Sequence, residues 1–233
     1  MPADSPPSGM AARDAPGARD GERPVREVQL TEKLHDGSTV DIRRLRPSDQ
    51  RMLAEAFEQL GFESRRLRFI GPKPSLSPRE LAYLTDVDGR NHEALGASDH
   101  VSGRGVGVAR FIRLADEPEV AEVAVTVIDT WQRRGLGTLL LEHLADQARS
   151  QGITHFSALI SSENTGMLEM LRRAGGEIVP TATDASVVEY RTALGSAGLG
   201  GDLRDALRSA ASGRLRLPRR LASLLGALAR SAH

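Results

Sequence analysis

The sequence predicts an α/β or α+β domain, and three observations carry that prediction. From Val120 onward strand and helix periodicities alternate: strands over 120–128, 153–160, 178–179 and 187–191, helices over 135–150 and 165–174. A chain of 233 residues, 39% apolar and 27% charged, is long enough for one domain with a substantial core. Composition then bounds that domain. Residues 1–24 hold five Pro and three Gly with almost no large apolar side chains, a segment that cannot offset its ordering entropy and is expected to be disordered. After Leu194 the run GSAGLGG reads as a flexible linker. The expected organisation is an extension over 1–24, a domain over 25–194, and a linker with a basic tail over 195–233.

The elements follow in order. Val28 and Leu30, then Asp36-Gly37, then Val40, Ile42 and Leu45 read as a hairpin turning at the DG pair. Leu53, Ala56, Phe57 and Leu60 fall at i, i+3, i+4 and i+7, an amphipathic helix that Gly61 ends. Ser77-Pro78-Arg79-Glu80 is a capping box with Pro at the first helical position, opening a second helix to about Leu84. Glu93–Ala97 and Val106–Arg113 are strand-like. The glycines at 103, 105 and 107 follow no strand-to-helix transition, so they read as a hairpin turn and not as a dinucleotide loop. Leu136, Leu140, Leu144 and Ala148 share one helical face; Met167, Leu168, Leu171 and Ala174 share another. In the tail, seven arginines face two aspartates, and Leu221, Leu224, Leu225 and Leu228 form a stripe. That basic amphipathic pattern admits contact with a partner or an anionic membrane, against the alternative of a weakly packed tail.

Composition excludes several classes. Thirty-one basic and 31 acidic residues give zero formal charge, against the basic footprint of a nucleic-acid-binding protein. Among the basic residues only Lys33 and Lys73 are lysines. The chain has no cysteine, which removes disulfides, thiolate nucleophiles, Cys-ligated zinc and iron–sulfur clusters. No apolar run approaches the roughly 20 residues of a membrane span, and no secretory signal precedes the domain. A cytoplasmic, metal-free protein is the expectation.

The chemistry concentrates at VTVIDTWQRRGLGT, residues 125–138, which reads as a strand, a basic glycine-containing turn, and the first turn of a helix. Gly135 and Gly137 leave room for close backbone approach. The first-turn amides lack intrahelical partners and meet the positive end of the helix dipole, which suits a diphosphate. Arg133 and Arg134 add charged donors. The Lys and hydroxyl of a P-loop are missing, so ATP hydrolysis fits poorly.

Gln132-Arg133-Arg134-Gly135-Leu136-Gly137 resembles the Q/R-x-x-G-x-G/A turn of the GNAT acetyltransferases. The resemblance extends over roughly 40–190. Within that superfamily the chain is most similar to bacterial protein lysine acetyltransferases acting on acyl-CoA synthetases, through FESRRLRF (62–69), ELAYLTDVDGRNHEALGA (80–97), GVARFIR (107–113), AEVAVTV (121–127) and SSENTGMLEMLRRAGG (161–176). It implies a mixed, mostly antiparallel central sheet with flanking helices. It implies acetyl-CoA as co-substrate, its pyrophosphate on Gln132, Arg133, Arg134, Gly135, Leu136, Gly137 and Thr138, and its pantetheine arm along the main chain of Val125, Thr126 and Val127. Asn164, an N-cap by position, would contact the same molecule.

The resemblance also implies Glu122 as general base. An amine of pKa ~10.4 is protonated at neutral pH and attacks a thioester only when free, and a carboxylate, directly or through water, can accept its proton. Glu122 alternates with Ala124 and Thr126, opposite Val123, Val125 and Val127. Glu119 matches the pattern less well, and an exposed strand residue in a salt bridge is the alternative for Glu122. His92, His143 and His155 show no carboxylate pairing and read as structural. The pattern also departs from the family. A common Tyr acid is replaced by Leu171 and a following aromatic by Gly176, leaving no assignable acid. The chain is too short for the fused sensing or synthetase-like regions of such relatives, so regulation is expected elsewhere.

Three readings result. The first is a protein lysine acetyltransferase using direct attack in a ternary complex, since no cysteine can carry an acyl group. The second is a small-amine acetyltransferase with a closed pocket lined by 62–90. The third is a non-catalytic acyl-CoA-binding module.

Overall fold

The structure, a computed structural model, describes residues 29–62, 64–65, 73–161, 177–180, 187–195 and 199. The extension over 1–24, the helix expected over 165–174 with Asn164, Leu171 and Gly176, and the leucine stripe of the tail lie outside the described residues.

The described elements are β1 (Gln29–Lys33), β2 (Thr39–Arg44), α1 (Gln50–Glu58), α2 (Pro78–Thr85), β3 (His92–Asp99), β4 (Gly105–Arg113), β5 (Val120–Val127), α3 (Leu136–Ser150), β6 (His155–Ser161), β7 (Glu177–Pro180) and β8 (Val187–Ala193). The strands form one sheet in the order β1-β2-β3-β4-β5-β6-β8-β7. Every described pairing is antiparallel except β5 with β6, whose connection runs through α3. This is the mixed, mostly antiparallel sheet that the sequence resemblance implies.

Local chemistry accounts for the elements. The β1–β2 connection turns at Gly37, whose φ of +87° suits glycine, and Leu34 N–H donates to the Ser38 carbonyl across 2.8 Å. The box at the start of α2 is reciprocal: the Ser77 hydroxyl accepts from the Glu80 amide, and the Glu80 carboxylate accepts from the Ser77 amide. Lys73 also pairs with the buried Glu80, tying the preceding loop to this helix. The glycines at 103 and 105 join β3 to β4 in a hairpin, as their context predicts.

Helices cover both faces of the sheet. A Cβ on Gly107 would meet Leu136 and Leu140 at 3.3 and 3.2 Å, so that face lies under α3. Val127 pairs with Gly107, which places Val123, Val125 and Val127 on the same side, packed in the core. The opposite face carries Val108, Arg110, Ala124 and Thr126 and lies under α1 and α2.

Candidate functional site

Register decides the first feature of the site. β5 pairs with β6 only at Val120↔His155, Ala121↔Phe156 and Glu122↔Ser157. Beyond Glu122, β6 continues against β8 while β5 continues against β4 alone. The two strands part in a V, leaving the edge of β5 over 123–127 without a strand partner on that side among the described residues. An unpaired strand edge offers peptide N–H and C=O groups to an extended ligand.

β5 ends in a short 3-10 turn at Asp129–Trp131 and then reverses into α3. Arg133 takes φ +62°, the only described non-glycine residue with positive φ, and Gly135 takes φ +89°. Such alternation points successive amides into one concavity. Gly135 is the N-cap of α3 and supplies no side-chain cap. No described group accepts from the amides of residues 133 to 138. The buried Thr138 hydroxyl has no partner either. Beside this turn lies a cleft lined by Lys33, His35, Arg134, Thr138 and Glu142. Unpartnered donors, a helix dipole and nearby cations fit a diphosphate with an adjoining charged group.

The basic and polar side chains divide their work in a way the linear sequence does not disclose. Arg133 is exposed. Arg134 is held: it pairs with Asp36 at 2.9 Å, donates to the Thr130 carbonyl at 2.7 Å, and stacks over Trp131. The Gln132 amide donates to the Val127 carbonyl at 3.0 Å and reaches Ser64 and Asp129, so its side chain braces the turn. Asp129 accepts from the Gly61 amide and the Ser64 hydroxyl, fastening the end of α1 to the turn. The β1–β2 connection covers the other side, with a Cβ on Gly135 meeting the His35 ring at 2.6 Å. Asp129, Asp36 and His35 escape sequence reasoning because their partners lie far along the chain.

Glu122 occupies the last rung before the strands part and is buried, with 5% exposure. A solvated strand glutamate is thereby excluded. Its row across the sheet holds His92, Ile112, Glu122 and Ser157. Glu119 is exposed, and its carbonyl accepts from the Thr154 and His155 amides. Above the row, Tyr83 of α2 stacks on His92 at 5.1 Å; burial raises its phenol, with Arg110 opposing and Glu122 adding to that shift.

Burial, reinforced by the Arg110 charge and opposed by Asp88, lowers His92 to about 4, so its ring is neutral at pH 7. The expectation that His92, His143 and His155 meet no carboxylate is corrected at His143, which lies 3.7 Å from Glu32; His100, outside that expectation, lies 3.0 Å from Asp41. Both arise from packing against the β1–β2 hairpin. Tyr190 is buried in the core. Among the described residues no group of three or more potential metal ligands assembles, and no helix is long and apolar enough to cross a membrane.

Comparison with known proteins places this geometry. Residues 54–175 match the model of the acetyltransferase (GNAT) family. Acetyltransferase PA5475 of Pseudomonas aeruginosa is 33% identical over 165 residues, which cover 70% of this chain and 88% of that protein. Acetyltransferase Pat of Mycolicibacterium smegmatis is 34% identical over 95 residues, 41% of this chain but only 28% of that protein. Among solved structures, the GNAT domain of S. lividans PAT superposes with a TM-score of 0.64 at 30% identity, covering 71% of this chain and 97% of that domain.

Proposed function

The chain belongs to the acetyltransferase (GNAT) family, and from that premise we propose that it transfers the acetyl group of acetyl-CoA to a protein lysine side chain by direct attack in a ternary complex. One observation carries the reading: β5 parts from β6 immediately after a buried glutamate and runs into a turn of unpartnered amides. Acetyl-CoA would supply the thioester. The amides of residues 133 to 138 would bind its pyrophosphate, with Arg133, Arg134 and Thr138 alongside. The main chain of Val125, Thr126 and Val127 would pair with the pantetheine arm, and Asn164 would add a contact. Glu122, at the foot of the V and shielded from water, would take the proton of the incoming amine. A thiolate with a pKa near 8.5 is a tolerable leaving group without a dedicated acid.

The lysine acceptor rests on the sequence resemblance and on the likeness to Pat, with an acyl-CoA synthetase as a suitable protein substrate. The same reading places the protein in the cytoplasm, without nucleic acid or metal.

The decisive variant is Glu122→Gln. It should lower kcat by about 10²–10⁴ while calorimetry shows unchanged acetyl-CoA affinity. Unaltered kcat would remove the base. Absence of any heat or thermal shift with acetyl-CoA would remove the whole reading. Incubating the protein with labelled acetyl-CoA and lysate, followed by mass spectrometry, should find the label on lysines; label confined to small amines would favour the second acceptor class.

A further inference from the structure

Arg110, in the middle of β4, is 1% exposed. Among the described residues its terminal nitrogens meet only the His92 Nε2 at 3.2 Å and the Leu84 carbonyl at 3.3 Å, both uncharged at pH 7. Its Nε has no partner, and among the described residues no carboxylate pairs with it. Three other partly buried arginines of the sheet are treated differently. Arg43 takes Asp49, Arg44 takes Glu93 and Arg191 takes Glu117, although all three keep some exposure. A guanidinium withdrawn from water without a counter-charge bears a large desolvation cost. Burial lowers Arg110 to about 10, still charged at neutral pH.

Arg110 faces a cavity between the sheet and helices α1 and α2, walled by apolar residues including Leu45, Met52, Phe57 and Leu84. Thr126 lines the same cavity, and its buried hydroxyl also has no partner. Arg110 pairs in register with Ala124, so it sits one step from Thr126 along β5 and one step from Glu122 in the other direction. Two incompletely satisfied polar side chains, Arg110 through its Nε and Thr126 through its hydroxyl, therefore line an otherwise apolar chamber next to the Glu122 rung.

We propose that this chamber is a receptor for a carboxylate on a short aliphatic arm, held by Arg110 and Thr126. The arm has two possible sources, a dicarboxylic acyl group on the thioester or an amino-acid acceptor. The inference rests on the acyl-CoA reading of the turn. Transfer itself keeps its balance: a C–N bond forms, the C–S bond breaks, the amine proton passes to Glu122, and the electron pair leaves with the thiolate.

The test uses the whole chain and the variants Arg110→Met and Arg110→Lys. One arm titrates succinyl-CoA against butyryl-CoA, its uncharged four-carbon counterpart. The other compares α-amino acids with the corresponding amines lacking the carboxylate, using acetyl-CoA as donor. Wild type should favour the carboxylated member at least tenfold in one arm. Arg110→Met should abolish that preference without lowering Tm, since it deletes an unpaired buried charge; Arg110→Lys should retain part of it. Equal handling of charged and uncharged members in both arms by a wild type that binds acetyl-CoA overturns the proposal alone. So does a preference that survives in Arg110→Met. Failure of wild type to bind any thioester takes down the acyl-CoA reading as well.

Discussion

At Gly135 two constraints coincide, a φ of +89° and the His35 ring against the position a Cβ would occupy. Gly103 shares the first constraint, with φ +69°, but nothing lies within 4 Å of its Cβ position. Replacing each with Ala separates backbone strain from crowding. Gly103→Ala should cost about 1 kcal/mol of unfolding free energy, and Gly135→Ala about 2–3 kcal/mol with weakened acetyl-CoA binding. Equal losses in urea titrations would show that His35 yields. The tight turn at Arg133 and Gly135 ahead of the helix was legible because the chemistry of a turn is local. The engagement of Arg134 by Asp36 was not, because 98 positions separate them.

Among the elements, α2 shows how a cap becomes a site determinant. Its box and the Lys73–Glu80 pair fix where the helix starts, and hence where Tyr83 and the Leu84 carbonyl meet His92 and Arg110. Ser77→Ala should destabilise the protein by about 1 kcal/mol, a fall of about 2–4 °C in Tm. No change in Tm would mean that Lys73 and packing alone hold the helix start. The boundaries of the two flanking helices and the β3–β4 hairpin follow from caps, periodicity and turn glycines. The strand GVARFIR is different. Both of its faces bear apolar residues, so a strand buried on both sides would have signalled that Arg110 lies inside.

On the scale of the whole molecule, burial of His92 against Arg110 sets an acid limb of stability. The folded state keeps His92 neutral down to about 4, whereas the unfolded chain protonates it near 6.5. Between those values the unfolded state binds more protons, so stability is full above pH 6.5 and falls as the pH drops toward 4. The loss attributable to this residue should be about 2–3 kcal/mol, reduced somewhat by its partial exposure. Urea midpoints at pH 7.5 and 4.5 should differ in wild type and converge in His92→Gln. Asp49, which Arg43 holds below the ordinary carboxylate range, contributes only at still lower pH. An unchanged acid limb in His92→Gln would assign the effect to other groups.

By itself the sequence determined the strands and helices described, the glycine turn ahead of the long helix and the family, because each depends on periodicity and turn chemistry over a short stretch of chain. Tertiary structure alone decided that β5 and β6 separate after Glu122, that Asp129 reaches Gly61 across 68 positions, and that Arg110 loses its water without gaining a carboxylate among the described residues. Those outcomes depend on strand register and packing between distant segments. The cost of burying a charge is set by what surrounds it in space, which neighbours along the chain do not specify.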